Sequence, residues 1–541
     1  LSTEFGSKQI IRGTLITSSL TILSRLLGFV RDLIVALVYG AGSFADAYFV
    51  AFRIPNLLRS FVAEGALSAA FVPIFSSELQ QGRDQAQQAL RAVTSFLLVS
   101  TGVISLIGFV FASEIIGLIA PGFLGEQRDT AVLLLRIMLP YTMCISLVAM
   151  VNGALASLKT FGTAAAAQSI MNVVLIIGGL ISAVFEMRSG VIILSASVLV
   201  GGIAQVLFQI PALRRHQLQL SFGFSGAGPL ISQLLKLMAP AIIGATVYQL
   251  MIFSATILSS LLEPGSISWL FYADRIVQLP LGIFSIALSS VLLPALATNA
   301  AVADASAFAR NLANALRYNS FILLPVSALI FVSADEVIQV LFQRGAFDAR
   351  SVEMTASAVR ALSVGIWAAS CQSLLARSFM AKRDNLTPTI FGVVTLVLNV
   401  VLSLTLMGSI VSSDASLLVA LLTTIQQTLA GWLPHANLGH VGLALASSLS
   451  SLASFILFAL TFHTRQKDFH WALFLNATTK SLLAALVALL LSAGIESTFT
   501  QEWPRLILTL ICFPLSYLAV ALLLRSQEAQ EFLQITKSRF S

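Results

Sequence analysis

The chain has 541 residues, 57% of them hydrophobic and 10% charged, with a formal net charge of +7. Its mean hydropathy is +0.91, and soluble domains carry about 25% charged residues, so a soluble enzyme with a single anchor is excluded. The lysine and arginine excess reads as membrane topology, not nucleic-acid binding.

Residues 1–9, LSTEFGSKQ, lack an initiator Met and read as a cloning remnant outside the fold. A helix needs about 20 apolar residues to cross the hydrocarbon. The chain offers about fourteen such stretches, roughly 10–38, 45–77, 88–118, 130–157, 163–185, 190–212, 231–262, 267–298, 312–340, 353–380, 387–409, 439–463, 472–495 and 504–524. The expected fold is an all-α polytopic membrane protein. Span 1 contains SRLLGFVRD, Ser24–Asp32. A charge at mid-helix costs roughly 2.5–3.5 kcal/mol on insertion scales, so these residues need a compensating role. Arg25 and Asp32 are two turns apart and share a face, whereas Arg31 points about 100° away unless Gly28 bends the helix.

Span 2, ADAYFVAFRIPNLLRSFVAEGA, adds Asp46 near its outer end, then Arg53, Asn56 and Arg59 at spacings of three, and Glu64 beyond them. Span 8, WLFYADRIVQLP, adds Asp274 and Arg275. Arginines 25, 31, 53, 59 and 275 thus face the acids Asp32, Asp46, Glu64 and Asp274. Some of these must pair with one another, because an unpaired buried charge is expensive. Arg53 and Glu64 suit structural or surface roles best, and Gly28, Glu64 and Asp274 read as gating or structural positions. The remaining guanidinium forks suit a phosphate-bearing anion, with Ser24 and Asn56 as polar neighbours.

Three short motifs recur about 220 residues apart in the same order. ALSAAFVP (Ala66–Pro73) matches ALSSVLLP (Ala287–Pro294), ASEII (Ala112–Ile116) matches ADEVI (Ala334–Ile338), and NVVL at Asn172 matches NVVL at Asn399. The period covers six helices. It predicts two six-helix lobes related by a pseudo-twofold axis, residues 10–228 and 229–468, with a cavity between them and alternating access. Helices 13 and 14 with a tail, residues 469–541, stand outside the repeat. Between spans 11 and 12, residues 412–438 carry apolar residues at helical spacing and Trp432, with Gln426 and Gln427 too polar for a comfortable span. This segment is predicted to be an amphipathic helix on the outer surface. Basic residues concentrate in the loops on one side by about three to one, which predicts both termini in the cytoplasm. Cys144, Cys371 and Cys512 lie in apolar runs and read as buried small residues. No HExxH, Walker A or paired CxxC is present, so neither a metal nor a cofactor is expected.

SRLLGFVRD, DAYFVAFRIPNLLRSFVAEGALSAAFVP and SWLFYADRIVQLPLGIFSIALSSVLLP resemble the MurJ (MviN) lipid II flippases of bacteria, part of a larger superfamily of multidrug and polysaccharide exporters. The resemblance implies a transporter, not an enzyme, in the inner membrane. It would move the undecaprenyl-pyrophosphate-linked peptidoglycan precursor from the inner to the outer leaflet. It implies cavity-lining roles for Arg25, Arg31, Arg59 and Arg275, a functional role for Asp46, and a lipid-tail groove at spans 13 and 14. Lipid II and the phospholipid membrane are the implied partners, with other cell-wall synthesis proteins as further candidates. The energy source stays open between the membrane potential and a monovalent cation gradient. An exporter of another polyprenyl-linked glycan or of cationic drugs is the alternative, although a drug exporter should favour carboxylates over this arginine excess. The long 412–438 connection departs from the family pattern.

Overall fold

The computed structural model describes residues 2–61, 67–224, 226–302, 304–410, 416–434, 436–466, 469–498 and 502–540. Glu64 therefore lies outside the described residues, as do the first residues of the 412–438 segment. The described residues are helical throughout, apart from turns and a single β-bridge between Met407 and Asn437. Two compact units are present: residues 1–265 with 344–347, and residues 266–343 with 348–541.

The first unit contains α1 (Ser2–Tyr39), α2 (Ser43–Phe61), α3 (Leu67–Gln81), α4 (Arg83–Val110), α5 (Ala112–Ile119), α6 (Gly125–Met138), α7 (Tyr141–Ser157), α8 (Phe161–Ser182), α9 (Met187–Arg215) and α10 (Ala227–Ser260). Its core is built by α3, α4, α7 and α9, with Phe71, Phe75, Leu90, Met150, Leu155 and Leu213 fully buried. Helices α8 and α9 approach closely because Gly178 faces Ser197, where an added Cβ would stand 1.9 Å from the Ser197 hydroxyl. Small residues permit such approach where lipid offers no hydrophobic drive.

The second unit contains α11 (Ser266–Pro280), a π turn (Leu281–Ser285), α12 (Ile286–Ala301), α13 (Ala305–Val332), α14 (Ala334–Phe342), α15 (Ala349–Ser363), α16 (Ile366–Ala381), α17 (Leu386–Leu406), α18 (Leu417–Ala430), α19 (Gly439–Arg465), α20 (Trp471–Thr498), α21 (Glu502–Leu523) and α22 (Gln527–Phe540). The α helix gives way to the π turn directly after Pro280, whose ring removes a backbone donor. Phe308, Leu312, Leu374, Phe458 and Phe474 fill one core. Phe321, Phe513 and Tyr517 fill another, where α13, α20 and α21 meet. The pairing of helices follows the same order in both units. α3 packs on α4 and α7, as α12 packs on α13 and α16; α2 packs on α6, as α11 packs on α15; α8 packs on α9, as α17 packs on α19. The short α5 and α14 start within ASEII and ADEVI.

Among the described residues, eight helices are long and apolar enough to cross a membrane, and ten if the pairs α6–α7 and α15–α16, bent by 40° and 43°, each count as one span. Within the described residues, each of the fourteen expected stretches falls largely on these helices or on other helical segments, 45–77 on α2 and α3. α2 is outside the apolar set because it carries Asp46, Arg53 and Arg59, and α11 because it has 15 residues. Cys512 differs from expectation: it is exposed on α21, while Cys371 is buried.

The extra segment forms α18, capped by Ser416, whose hydroxyl accepts from Val419 N at 3.3 Å. Leu417, Leu421, Ile425 and Trp432 are exposed. Gln426 is not an outward-facing polar residue. It is buried, donates to the Leu404 and Gly408 carbonyls at 2.8 Å each, and accepts from Ile410 N at 3.0 Å. The end of α17 leaves carbonyls without helical partners, and Gln426 serves them. The neck is closed by Ala436, Leu438 and Gly439 N–H groups donating to Thr405, Leu406 and Met407 carbonyls.

Candidate transport site

The residues of SRLLGFVRD lie on one unbroken helix, α1, and α8 supplies their main partner. Arg31 donates from Nε and Nη2 to Asp32 Oδ1 at 3.0 and 2.7 Å, and from Nη1 to Asn172 Oδ1 at 3.2 Å. Asn172 Nδ2 donates to the Ser24 carbonyl at 2.9 Å and lies 3.4 Å from its hydroxyl. Ser24, Asp32 and Asn172 are buried, and Arg31 is half-buried. The face-sharing argument for Arg25 and Asp32 missed this pairing. An arginine side chain is long enough to wrap 100° around the helix, so the neighbour at position 31 takes the carboxylate. Gly28 sits against Asn172, where an added Cβ would meet Nδ2 at 3.6 Å. That is ordinary contact, so space alone does not demand glycine there. Arg25 is exposed and makes no side-chain hydrogen bond or ion pair among the described residues.

On α2, Arg59 Nε donates to Asn56 Oδ1 at 2.7 Å, one turn back on the same face. The next residue, Ser60, receives Gln249 Nε2 of α10 at 2.9 Å. Arg53 is half-buried on this helix. Asp46 is buried in the first turn of α2 and accepts from Gly265 N at 2.6 Å. Gly265 has φ of +101°, a region glycine enters without the Cβ penalty. Asp46 thus fixes the backbone that follows α10.

In the second unit, Asp274 is exposed and receives a hydrogen bond from Gln278. Arg275 is half-buried with its guanidinium carbon 4.6 Å from the Phe271 ring centroid. The ring face attracts the guanidinium electrostatically and helps to hold it in place. The first unit therefore gathers Ser24, Gly28, Arg31, Asp32 and Asn172 into one cluster, and Asn56 with Arg59 into another. Asn172 was legible only as the repeat twin of Asn399. The twins differ in use, for Asn399 Nδ2 reaches Ser447 and Ser450 of α19 at 3.3 and 3.2 Å.

Residues 35–414, from the end of α1 past α17, match the family model described as lipid II flippase MurJ. The chain belongs to the MurJ lipid II flippase family. The lipid II flippase MurJ of Burkholderia cenocepacia is 34% identical over 387 residues, covering 70% of this chain and 75% of that protein. A probable lipid II flippase MurJ of Buchnera aphidicola subsp. Acyrthosiphon pisum is 34% identical over 394 residues, 72% and 77% of the two chains. A solved structure of a MurJ lipid II flippase in an inward closed conformation superposes with a TM-score of 0.76 at 25% identity, over 96% of this chain and 100% of that one. An inward-facing multidrug resistance transporter of the MATE family has a TM-score of 0.67 at 13% identity, over 84% of this chain and 98% of that one, and shares the fold. The MurJ family match includes Asp46, Asn56, Arg59, Asp274 and Arg275, while Arg25 and Arg31 precede it. The protein is a multi-pass membrane transporter of the MurJ type, not an enzyme.

Proposed function

We propose that this chain moves lipid II from the cytoplasmic to the outer leaflet of the bacterial inner membrane by alternating access, with both termini in the cytoplasm. Arg25, Arg31, Arg59 and Arg275 supply the guanidinium forks that receive the pyrophosphate. The observation that carries this reading is the Arg31 cluster. A guanidinium in a membrane helix is held by Asp32 and by Asn172 from a second helix, while Arg25, two turns before Asp32, stands exposed. Oriented cations cost less to reorganise when an anion arrives. Asp46 acts by holding the Gly265 backbone. The sugars and pyrophosphate travel along a hydrated path while the polyprenyl chain stays in lipid, which avoids taking charge through hydrocarbon. No bond is made or broken. The membrane potential is worth about 2.3 kcal/mol per charge per 100 mV, enough to bias the cycle.

The test is replacement of the native flippase in a depletion strain, with leaflet exposure of lipid II as the readout. Arg25→Ala is the cleanest variant, because Arg25 makes no side-chain hydrogen bond or ion pair among the described residues. Arg25→Ala and Arg275→Ala should lose flipping at normal protein level, and Arg31→Lys should retain only part of it. Normal flipping by all three variants would remove the phosphate-clamp reading. Retained membrane insertion with export of a cationic dye, and no lipid II exposure, would favour the drug-exporter alternative.

A further inference from the structure

Apart from the arginine clusters, the second unit holds a cavity of about 570 Å³ where the α12–α13 connection meets the α16–α17 turn. Its lining includes Asn299, Asp304, Phe308, Lys382 and Arg383, with small alanines between them. The volume is within the range of small-molecule sites, about 300–1,000 Å³. None of the proposed transport residues contributes to it.

The charges in this corner are unevenly engaged. Asp304 caps α13, its Oδ1 accepting from Ala307 N and from the Ser306 hydroxyl at 2.9 Å each. Those bonds hold its carboxyl below the usual range. Arg310 donates to the Ser306 hydroxyl at 3.2 Å. Asp384, next to the cavity, is taken by Arg465 at 2.7 Å and by Thr387. Among the described residues, no carboxylate lies within ion-pair distance of Lys382 or Arg383. Lys382 Nζ lies 4.5 Å from the Phe308 ring centroid, and partial burial pushes its ammonium below the usual range. Arg383 occupies the left-handed region at φ +63°, which glycine or asparagine adopts at lower cost. Asn299 Nδ2 is buried and has no hydrogen-bond partner among the described residues.

The internal repeat supplies the comparison. In the first unit the corresponding corner lies between α4 and the α7–α8 turn, where Lys159 has φ of +58°. There the chain's own segment 216–222 lies over the corner and presents oxygens to its donors. Arg83 Nη1 donates to the His216 carbonyl at 2.9 Å, Gln87 Nε2 to that of Gln219 at 2.8 Å, and Arg91 Nε to that of Phe222 at 3.0 Å. In the second unit Phe469 packs on Phe462 and Trp471 on Phe474, and no described main-chain carbonyl from this stretch accepts from Lys382 or Arg383. The donors of that corner, two cations and one amide, line the cavity.

We propose that this corner is a binding site for a phosphate-bearing anion, with Lys382, Arg383 and Asn299 Nδ2 as the donors and the first turn of α13 beside them. The basic residues Arg310, Lys382, Arg383 and Arg465 mark this end of the unit as the cytoplasmic side. Anionic lipid headgroups collect basic residues there, and soluble phosphates share that compartment.

The experiment uses the full purified chain. Native mass spectrometry after mixing with phosphatidylglycerol or phosphatidylcholine reads lipid retention, and thermal melting with inorganic pyrophosphate reads the soluble alternative. The variants are K382Q/R383Q and, as a control with the same change in charge, R214Q/R215Q at the exposed end of α9. Selective phosphatidylglycerol retention that falls about tenfold in K382Q/R383Q and not in the control supports a headgroup site. A pyrophosphate-induced rise in melting temperature, lost in K382Q/R383Q and not in the control, supports a soluble phosphate. Wild-type behaviour of K382Q/R383Q in both assays overturns the proposal, as does equal loss in the control, which would reduce the effect to general surface charge.

Discussion

Asn172→Ala tests whether the Arg31 cluster is a positioning device. The substitution removes an acceptor at 3.2 Å from Arg31 Nη1 and a donor at 2.9 Å from the Ser24 carbonyl. A hydrogen bond to a charged group is worth about 1.5–3 kcal/mol and a neutral one about 0.5–1.5 in soluble proteins. Inter-helix hydrogen bonds in membranes average nearer 0.6 kcal/mol, because separated helices find other partners. Ser24 O sits mid-helix, where a main-chain donor remains available to it, and Arg31 keeps Asp32. The expected loss is therefore about 1–2 kcal/mol, read from denaturant unfolding in detergent. Flipping should fall at normal protein level, by up to about tenfold where 1.4 kcal/mol of positioning is lost from pyrophosphate binding. Asp32→Asn should be more severe: it leaves the half-buried guanidinium without its counter-charge, and breaking one side of a buried pair costs about 3–5 kcal/mol. A double-mutant cycle decides the mechanism. In an Arg31→Lys background, which retains some flipping but lacks the fork, Asn172→Ala should add little further loss of flipping. An equal loss in both backgrounds would show that Asn172 acts independently of Arg31, and the positioning argument would fail.

Helix positions were legible because hydropathy alone marks what lipid will accept. The breaks within them were less so. The division between α13 and α14 at Ser333 follows from local backbone geometry that a smooth apolar run conceals. The repeat motifs were informative where they mark apolar positions with the same packing duty, as Ala112 and Ile116 in α5 match Ala334 and Ile338 in α14, all buried; their polar members, such as Asn172 and Asn399, were not. Side-chain partnerships were harder to read. Arg31 chose Asp32 because its reach exceeds the helical angle, and no periodicity argument contains side-chain length. Gln426 counted in the sequence only as a residue too polar for a span, yet the fold buries it to serve carbonyls at the end of a different helix. Arg317 and Glu528 are 211 positions apart, with nothing local to announce that they meet. Charges spent on tertiary contacts and charges held ready for a ligand look alike in a sequence. Only the identity of the partner separates Arg317, tied to Glu528 and Gln527 of α22 and to Asn314, from the exposed Arg25.

Three further outcomes are expected. Asp46→Asn should keep a hydrogen bond from Gly265 N but lose its charge assistance, weakening flipping severalfold in the depletion strain, whereas Asp46→Ala should abolish it; equal, normal growth for both would leave Asp46 without a role in transport. Glu528 receives Arg317 Nε at 2.7 Å and Ser526 Oγ at 2.7 Å. Burial would raise its carboxyl, but its own backbone N–H, Ser526 and Arg317 outweigh that and hold it below 4.5. Its stabilising contribution is thus present above that value and disappears as pH falls through the lower folded value. Glu528→Gln should cost about 1–3 kcal/mol at pH 7 and make detergent-solubilised protein less sensitive to pH below 4.5; an unchanged acid-unfolding profile would contradict this. The α18 excursion gives the last outcome. Its neck is closed by main-chain bonds from 436, 438 and 439 to 405–407, so the two ends already lie side by side, and a short Gly/Ser linker joining Gly408 to Asn437 imposes little strain. The excursion contributes none of the proposed transport residues, so flipping should survive its removal. If α18 lies at the outer interface, Gln427→Cys, at an exposed position, should react with a membrane-impermeant thiol reagent from outside. Gln426→Cys should react far more slowly, because that position is buried against the end of α17. Fast, equal labelling at both positions would mean that Gln426 does not dock the helix, and labelling only after the membrane is breached would reverse the orientation.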